Sequence, residues 1–451
     1  MAHPQHPKAH LRALLTLGLP LIGSHLAQMS VNVTDTLMLG WYSVEALAGV
    51  VLGGTFFFIL FIVGSGFAWA VMPMVAAASE EGDDAGLRRV TRMGLWISLA
   101  VAALGVPLLW YSAPILVAMG QDPDLSQVAQ QYLRINGWGL IPALAVMALK
   151  SYLSALEHTR IVLLATLGAV VINGVLNYAL IFGHWGAPEL GVRGAAIASL
   201  ALQVATLVVL VAYIMRKLPQ HQLFHRFWRP DWEAMRHVFR MGLQIGLTSL
   251  AEAGLFSAST VIMGWIGTIE LVAHGIALQI ISIFFMVHVG LANAATIRAG
   301  RAYGRRDQVG LRMGAAVAIG LGLAFSLVAL VFFLAIPDFL IGLFLNPNEA
   351  RRADVLAIGG VLLAVAAVFQ LADGAQVMAL GLLRGVQDTK IPMLIAALSY
   401  WVIGVPMSYL LGVKWQYGGA GVWAGLVIGL TIAGVLMMLR FWRRSSHIAR
   451  S

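Results

Sequence analysis

Twelve long apolar segments constrain the fold of this chain more than any other feature of its sequence. Each is about 20 residues or longer, enough for a helix to cross the hydrocarbon core of a bilayer. The segments lie near 11–40, 47–76, 91–112, 126–150, 160–183, 193–216, 236–265, 271–298, 310–336, 353–383, 390–412 and 418–440. Because a backbone in lipid must satisfy its own hydrogen bonds, they predict transmembrane helices. We therefore expect an all-α polytopic membrane protein.

The composition supports this class and excludes others. Of 451 residues, 60% are hydrophobic and 11% are charged, whereas soluble domains carry about 25% charged residues. The net charge of +9 would suggest nucleic acid binding in a soluble chain, but here the basic residues lie between apolar segments.

The sequence has no Walker-type loop, no paired nucleophile and base, and no metal cluster. We expect no enzymatic activity, no nucleic acid partner and no cofactor.

The loops alternate in charge, which predicts the orientation of the chain. Of the 29 lysines and arginines, one side of the membrane would carry only Arg134, Arg193, Arg351, Arg352 and Lys414. The basic side is the cytoplasmic side by the positive-inside rule. The sequence therefore predicts a multi-pass protein of the cell inner membrane with both termini in the cytoplasm.

The chain contains an internal repeat with an offset of 224 residues, the separation of Gly18 and Gly242. Gly40 matches Gly264 and Gly66 matches Gly290 at the same offset, without a gap. Each half has an even number of spans, so both halves enter the membrane from the same side. Such repeats are related by a pseudo-two-fold axis along the membrane normal, with a substrate path between them. An old duplication that serves packing alone is the alternative.

The repeat predicts the domain organisation. Residues 1–216 form an N-terminal six-helix lobe, residues 217–235 form a basic cytoplasmic linker, and residues 236–451 form a C-terminal six-helix lobe.

Acidic residues break the repeat at two places. Glu252 lies opposite Gln28, and Asp35 lies opposite Ser259. Symmetric scaffolding does not require this asymmetry, whereas two different binding lobes do.

The stretch Val368–Lys390 begins inside the tenth apolar segment and carries Asp373 as the lone carboxylate of its apolar part, before Arg384. Insertion of such a charge at the centre of a membrane helix costs roughly 2.5–3.5 kcal/mol. We expect it to face the interior of a bundle and to meet a cation or a proton. A buried aspartate that bonds neighbouring helices is the alternative.

Asn173 and Asn177 lie one helical turn apart on one face of the fifth segment. They could complete a polar cluster with Asp35. Interhelical amide bonds that only hold helices together are the rival interpretation.

These residues carry a resemblance to a known family. The sequence resembles the multidrug and toxic compound extrusion (MATE) family, in its NorM-like bacterial branch, over nearly the whole chain. The most specific matching stretches are Asp35–Gly40, Gly186–Gly191, Ala273–Gly275 and Asp373–Asp388. The resemblance implies a MATE fold of two six-helix bundles around a central cleft. It also implies secondary active efflux of cationic lipophilic drugs in exchange for H⁺ or Na⁺.

The resemblance also assigns roles to residues. Glu252 and Asp373 match the carboxylates of the second-lobe cation site, where they would hold Na⁺ if that is the coupling ion. Asp35, Asn173 and Asn177 match the polar cluster of the first lobe. Phe369 stands where related members often have tyrosine, so a hydroxyl ligand is absent there. A proton needs only one carboxylate, so this departure favours H⁺ as sufficient for coupling, with Na⁺ able to replace it.

A lipid-linked oligosaccharide flippase of the same superfamily is the alternative function. Such flippases typically line the cleft with Arg or Lys to meet pyrophosphate, whereas the midmembrane charges of this chain are acidic. We expect cationic drugs as substrates, membrane lipid as the surroundings, and a monomer.

Overall fold

The structure is a computed structural model that describes residues 6–348 and 350–445. Within those ranges all regular structure is helical, and 12 helices are long and apolar enough to cross a membrane. Each corresponds to one of the predicted segments. The prediction of an all-α, twelve-span protein is therefore confirmed.

The first six spans are built from helices α1 to α8. Their bounds are α1 Pro7–Tyr42, α2 Val44–Glu81, α3 Asp84–Trp110, α4 Ser112–Ala118, α5 Pro123–Asn136, α6 Leu140–Ala155, α7 Thr159–Phe182 and α8 Val192–Lys217. A 3-10 turn at Gly137–Gly139 joins α5 to α6, so the fourth span is Pro123–Ala155.

The last six spans are built from helices α9 to α16. Their bounds are α9 Trp232–Ile266, α10 Thr268–Gly304, α11 Gln308–Ala335, α12 Pro337–Gly342, α13 Arg352–Gly385, α14 Lys390–Ala397, α15 Val405–Tyr409 and α16 Gly418–Ser445. Two π-helical segments, Leu398–Gly404 and Leu410–Lys414, continue α14 and α15 into one span, Lys390–Lys414. Such wide turns occur frequently at functional sites.

The internal repeat extends to the way in which helices begin. Asp83 accepts a hydrogen bond from the backbone N–H of Gly86 at 2.8 Å, and Asp307 accepts one from Gly310 at 2.8 Å. These aspartates cap α3 and α11, where a side-chain oxygen satisfies one of the free N–H groups of the first turn. The same residues therefore start the third helix of each repeat in the same manner.

The chain divides into two compact units. The central unit is Gly23–Gly246, and the terminal unit combines the residues up to Ile22 with those from Leu247 onward. The chain passes from one unit to the other after Ile22, in α1, and again after Gly246, in α9. These two boundaries are separated by the 224-residue offset of the repeat. The predicted lobes, 1–216 and 236–451, are each one continuous stretch of the chain, and this domain assignment stays a prediction.

Small residues let helices approach closely within each unit. In the central unit a Cβ on Gly66 would lie 2.4 Å from the carbonyl oxygen of Gly242. In the terminal unit a Cβ on Gly290 would lie 2.5 Å from Ile22. Gly66 and Gly290 are repeat partners, and close backbone approach at small residues is the common way to pack helices in membranes.

The basic segment 217–235 is anchored on α3 within the central unit. The guanidinium of Arg92 donates to the backbone carbonyls of Leu223 at 2.6 Å and Gln222 at 2.8 Å. The indole N–H of Trp96 donates to the carbonyl of Phe227 at 2.9 Å. The predicted linker is thus bound along its length to one lobe.

Candidate cation and substrate sites

Two carboxylates of the terminal unit lie within electrostatic range of each other. Asp373, in the middle of α13, is 1% exposed, and Glu252, on α9, is partly buried. Glu252 and Asp373 interact electrostatically. Glu252 Oε1 and Asp373 Oδ1 are both buried without a hydrogen-bond donor among the described residues. The structure therefore brings these two predicted site residues together with free acceptor oxygens.

Phe369 lies one turn before Asp373 in an aromatic cluster. Its ring packs edge-on against Phe256, with centroids 6.0 Å apart, and against Trp423 at 5.5 Å. The indole N–H of Trp423 donates to Nδ1 of His274 at 3.1 Å. Phe369 is fully buried and supplies an apolar wall but no oxygen, as expected from its side chain.

Further polar residues that were not predicted from the sequence lie near this pair. Gln370 and Gln376 flank Asp373 at three-residue intervals on α13, and both are fully buried. Tyr400, in the first π-helical segment, is fully buried and accepts a 2.7 Å hydrogen bond from Gln376 Nε2. Tyr400 interacts electrostatically with both Glu252 and Asp373. The spacing around Asp373 was a signal for the glutamines, since residues three apart are neighbours on a helix.

Arg384 also belongs to this neighbourhood. It lies in the last turn of α13 and interacts electrostatically with Glu252 and Tyr400. From the sequence it counted only among the basic residues that set orientation. Arg384 thus places a cationic side chain in the neighbourhood of Glu252.

The central unit brings Asp35, Asn173 and Asn177 together. Asn173 Nδ2 donates to Asp35 Oδ1 at 3.0 Å, and Asn177 Nδ2 donates to the same oxygen at 2.5 Å. Asn177 Nδ2 also lies 3.2 Å from Asn173 Oδ1. Both asparagines are fully buried, Asp35 is partly buried, and Asn177 Oδ1 has no donor among the described residues. The sequence predicted a polar cluster of these three residues, and the structure brings them together where α7 meets α1.

Tyr132 extends this cluster and was missed from sequence. Its hydroxyl accepts a 3.1 Å hydrogen bond from Asn136 Nδ2, and it interacts electrostatically with Asp35. Tyr132 and Asn136 lie on α5 one turn apart and are buried. No feature of the local sequence distinguishes Tyr132 and Asn136 from residues that serve packing alone.

The two clusters share one chemical property. Each places carboxylate and amide oxygens away from water within the helices of a single unit. An isolated charge is strongly disfavoured in such surroundings, so each carboxylate needs a proton, a bound cation or a cationic side chain, such as Arg384 near Glu252. Cation binding by the two clusters stays a prediction.

A family model matches both halves of the chain. The MatE model covers residues 20–179 and 245–410, which include the first-lobe cluster in one match and Glu252, Phe369 and Asp373 in the other.

Curated proteins are similar over almost the whole chain. The probable multidrug resistance protein NorM of Rhizobium meliloti (strain 1021) is 46% identical over 436 residues, covering 96% of this chain and 93% of that protein. The protein described in the same words from Agrobacterium fabrum (strain C58 / ATCC 33970) is 42% identical over 435 residues, with 96% and 94% covered.

Solved structures share the fold at lower identity. A MATE crystal structure in complex with MaL6 matches with a TM-score of 0.90 at 21% identity, covering 98% of each chain. A MOP superfamily transporter from Pyrococcus furiosus matches with a TM-score of 0.88 at 21% identity, covering 98% of this chain and 97% of the other. The expected MATE fold is confirmed, and together with the family model and the curated relatives it shows that this chain is a NorM-like transporter that belongs to the MATE family.

Proposed function

We propose that this chain is a secondary active antiporter that exports cationic lipophilic compounds in exchange for H⁺ or Na⁺. The observation that carries the proposal is the pair of carboxylates Glu252 and Asp373, each with a buried oxygen that accepts no hydrogen bond from a described residue. Multidrug efflux is the activity that family membership indicates, and the curated relatives are probable multidrug resistance proteins.

The exchange follows from competition for the same negative charge. A proton or Na⁺ neutralises the carboxylates of one conformation, and a lipophilic cation neutralises them in another. Binding of one cation then disfavours binding of the other, and this differential affinity couples their movements. The aromatic wall that includes Phe369, Phe256 and Trp423 supplies apolar area for the hydrophobic part of a drug.

A lipid-linked oligosaccharide flippase is not favoured. Recognition of pyrophosphate needs clustered cationic side chains, since Arg and Lys are the usual partners of phosphate oxygens. The two polar clusters of this chain centre instead on Asp35, Glu252 and Asp373. The relatives from Rhizobium meliloti and Agrobacterium fabrum are described as drug resistance proteins.

The chain is a multi-pass membrane protein. We place it in the cell inner membrane with both termini in the cytoplasm, because the basic loops are concentrated on one side. The extreme termini, residues 1–5 and 446–451, lie outside the described residues. We propose that the protein acts as a monomer surrounded by lipid and uses no cofactor or nucleic acid.

Efflux from transporter-deficient cells tests this proposal. Cells that express the chain should extrude a fluorescent lipophilic cation faster than cells that express Asp373→Asn, and extrusion should respond to external Na⁺, to pH, or to both. A matched uncharged dye should not be extruded. Extrusion that is equal with and without Asp373, or indifferent to both ions, would contradict the antiport.

A further inference from the structure

A basic recess, here named the arginine recess, lies at the C-terminal end of α10 in the terminal unit. It comprises about 280 Å³ that no protein atom fills, including space open to solvent. Its basic lining residues are His10 of α1 and Arg298 and Arg305 from the end of α10, and the small residues Gly310 and Gly314 of α11 also line it. Seven residues, about two helical turns, separate the two arginines, so they share one face of α10.

His10 and Arg298 are bonded to each other at this recess. Arg298 Nη2 lies 3.2 Å from His10 Nδ1. Because a guanidinium has only donors, Nδ1 accepts and the ring proton lies on Nε2. His10 is 3% exposed, and a Cβ on Gly314 would lie 3.3 Å from Nδ1, so a larger residue there would crowd the imidazole. The recess is therefore lined by two guanidinium groups and an imidazole N–H.

Positive charge is in excess around the arginine recess. Residues 298–312 contain five arginines and a single acid, Asp307. Asp307 caps α11 through its bond to Gly310. Asp388, in the turn after α13, accepts two hydrogen bonds from Arg440 of α16, at 2.7 and 3.1 Å. The segment thus carries a net positive charge that a bound anion would offset.

The preference for basic residues in cytoplasmic loops does not account for the whole cluster. It accounts for Arg306 and Arg312, which are exposed near the turn between α10 and α11. Arg298 lies instead inside the span Thr268–Gly304 and is partly buried. A cationic side chain within a span is costly and usually has a function. The position of Arg298 therefore requires a further reason.

The internal repeat shows that the fold does not require this recess. At the offset of 224 residues, the counterparts of Arg298, Gly314 and His10 are Met74, Val90 and Ala234. All three belong to one hydrophobic cluster of the central unit, in which Met74 is fully packed and the other two lie against the buried members. Apolar side chains thus fill the place that basic residues and glycine line in the terminal unit.

Trp442 of α16 indicates the depth of the recess in the membrane. The guanidinium carbon of Arg312 lies 5.6 Å from the centroid of the Trp442 ring. Arg312 directly follows Leu311, which lines the recess. Tryptophan is enriched at the level of the lipid headgroups. The recess therefore lies near headgroup level, on the side of the membrane that the basic loops identify as cytoplasmic.

We propose that the arginine recess binds the phosphate group of an anionic membrane lipid of the cytoplasmic leaflet. Arginine binds phosphate oxygens through paired N–H groups. Basic pockets between transmembrane helices on the cytoplasmic side are typical sites for anionic headgroups. A phosphate bonded to His10 and Arg298 together holds the start of α1 against the end of α10. This site is separate from drug export and depends only on the orientation proposed above.

Equilibrium binding of radioactive dioctanoyl phosphatidylglycerol to delipidated, full-length protein in a neutral detergent tests the proposal. Wild type should bind this anionic lipid saturably. Dioctanoyl phosphatidylcholine has no net charge and should compete only weakly. Arg298→Met removes the guanidinium and supplies the residue type that the repeat has at Met74, and it should weaken binding about fivefold or more. Equal affinity for the two lipids, or wild-type affinity in Arg298→Met, would overturn the proposal.

Arg306→Asn is the matched control for the loss of one positive charge. Arg306 is exposed beside Arg305 and lies outside the recess. Asparagine tolerates the positive φ of 56° at this position. Lipid binding by Arg306→Asn should equal that of wild type. Equal losses in Arg298→Met and Arg306→Asn would assign the lipid to the general charge of the surface and not to a site.

Thermal unfolding separates loss of the lipid site from damage to the fold. Phosphatidylglycerol should raise the Tm of wild type by several degrees, as any ligand of the folded state does, and should raise that of Arg298→Met less. Without lipid, Arg298→Met should unfold at or above the wild-type Tm, because it removes a partly buried charge. Arg298→Lys keeps the charge but loses the paired N–H groups, and its lipid affinity should be intermediate. A Tm increase that is equal in wild type and both variants would contradict the site.

Two further measurements distinguish the sources of the anion. Inorganic phosphate should displace the lipid only at much higher concentration, because it has no acyl chains to bury. Displacement at equal concentration would make the recess a site for free anions. Removal of residues 446–451, which follow α16, should leave lipid binding unchanged. Lipid that binds only to the truncated protein would assign the recess to that segment, and either result would overturn the lipid site.

Discussion

Asn177 Nδ2 lies 2.5 Å from Oδ1 of Asp35, and Asn173 Nδ2 reaches the same oxygen at 3.0 Å. Two amides from one face of α7 therefore converge on a single carboxylate oxygen of α1. Hydrogen bonds to an ionised acceptor are roughly twice as strong as neutral ones. The charge of Asp35, rather than the amide pair, is thus the centre of this cluster.

We expect Asp35→Asn to reduce drug export more than Asn173→Ala. The asparagine keeps an acceptor oxygen for the amides but removes the negative charge that a cation needs. Asn173→Ala removes one of two donors and leaves the charge in place. Initial efflux rates in cells, normalised to the amount of protein in the membrane, should fall about tenfold or more for Asp35→Asn and only a few-fold for Asn173→Ala. Equal or reversed effects would favour amide bonds that only hold helices together.

Neutralisation of either carboxylate in the terminal unit should abolish export without unfolding the protein. Asp373→Asn and Glu252→Gln are nearly isosteric, so packing is retained while the site loses a charge. Export should fall below about a tenth of wild type, since removal of a buried functional charge in a span removes its cation. Asp354→Asn is the control, because Asp354 is exposed at the start of the same helix. Wild-type resistance from both neutralised variants would exclude these residues from coupling.

Several features of the fold and site were predictable because they depend on local sequence. Length and hydropathy determine the twelve spans, since each helix satisfies its own backbone. The pair Asn173 and Asn177 follows from helical periodicity. The repeat offset identified Asp35 and Glu252 as positions where the halves differ. None of these inferences required knowledge of which helices touch.

The features that were missed depend on contacts between distant segments. Tyr400 meets Gln376 from a π-helical segment of its span, and no residue pattern marked that segment. Arg92 looked like a loop charge until the structure showed it bonded to carbonyls more than 100 residues away, including that of Leu223. Tyr132 resembles any buried aromatic residue. Such partners are specified by tertiary packing and not by local spacing.

The segment 217–235 should loosen at acidic pH through His221. Nδ1 of His221 lies 2.5 Å from Tyr152 Oη, and Nε2 lies 4.0 Å from Asp84. Burial lowers the pKa of His221 from 6.5; Asp84 opposes this shift and His158 adds to it. A folded pKa below the unfolded value means that the unfolded state binds more protons, so this contribution to stability is present above pH 6.5 and is lost as pH falls below it.

Thermal unfolding of the purified protein at several pH values measures this effect. The wild-type Tm should fall between about pH 7.5 and pH 5.5, and His221→Gln should reduce that fall because it removes the titrating group. His225→Gln is the control, since the side chain of His225 is exposed on the same segment. An unchanged slope in His221→Gln would assign the pH dependence to other groups.

Gly374→Ala should destabilise the terminal unit, whereas Gly360→Ala should not. A Cβ on Gly374 would lie 2.5 Å from both His288 Nε2 and Ser326 Oγ, while a Cβ on Gly360 meets nothing within 4 Å. Overpacking of this kind costs about 1–3 kcal/mol. In contrast, replacement of a helical glycine by alanine in open space gains about 0.5–1 kcal/mol. Both glycines lie on α13, so the pair isolates the close contact from helix propensity.

The Tm of each variant in the same detergent gives the comparison. Gly374→Ala should unfold several degrees below wild type, and Gly360→Ala should unfold at or above it. Since His288 and Ser326 both bond to Gln370, three residues before Asp373, Gly374→Ala should also reduce drug export. A Gly374→Ala protein as stable as wild type would mean that α10 and α11 can move away from α13 without cost. The network behind Asp373 would then be too loose to position a ligand.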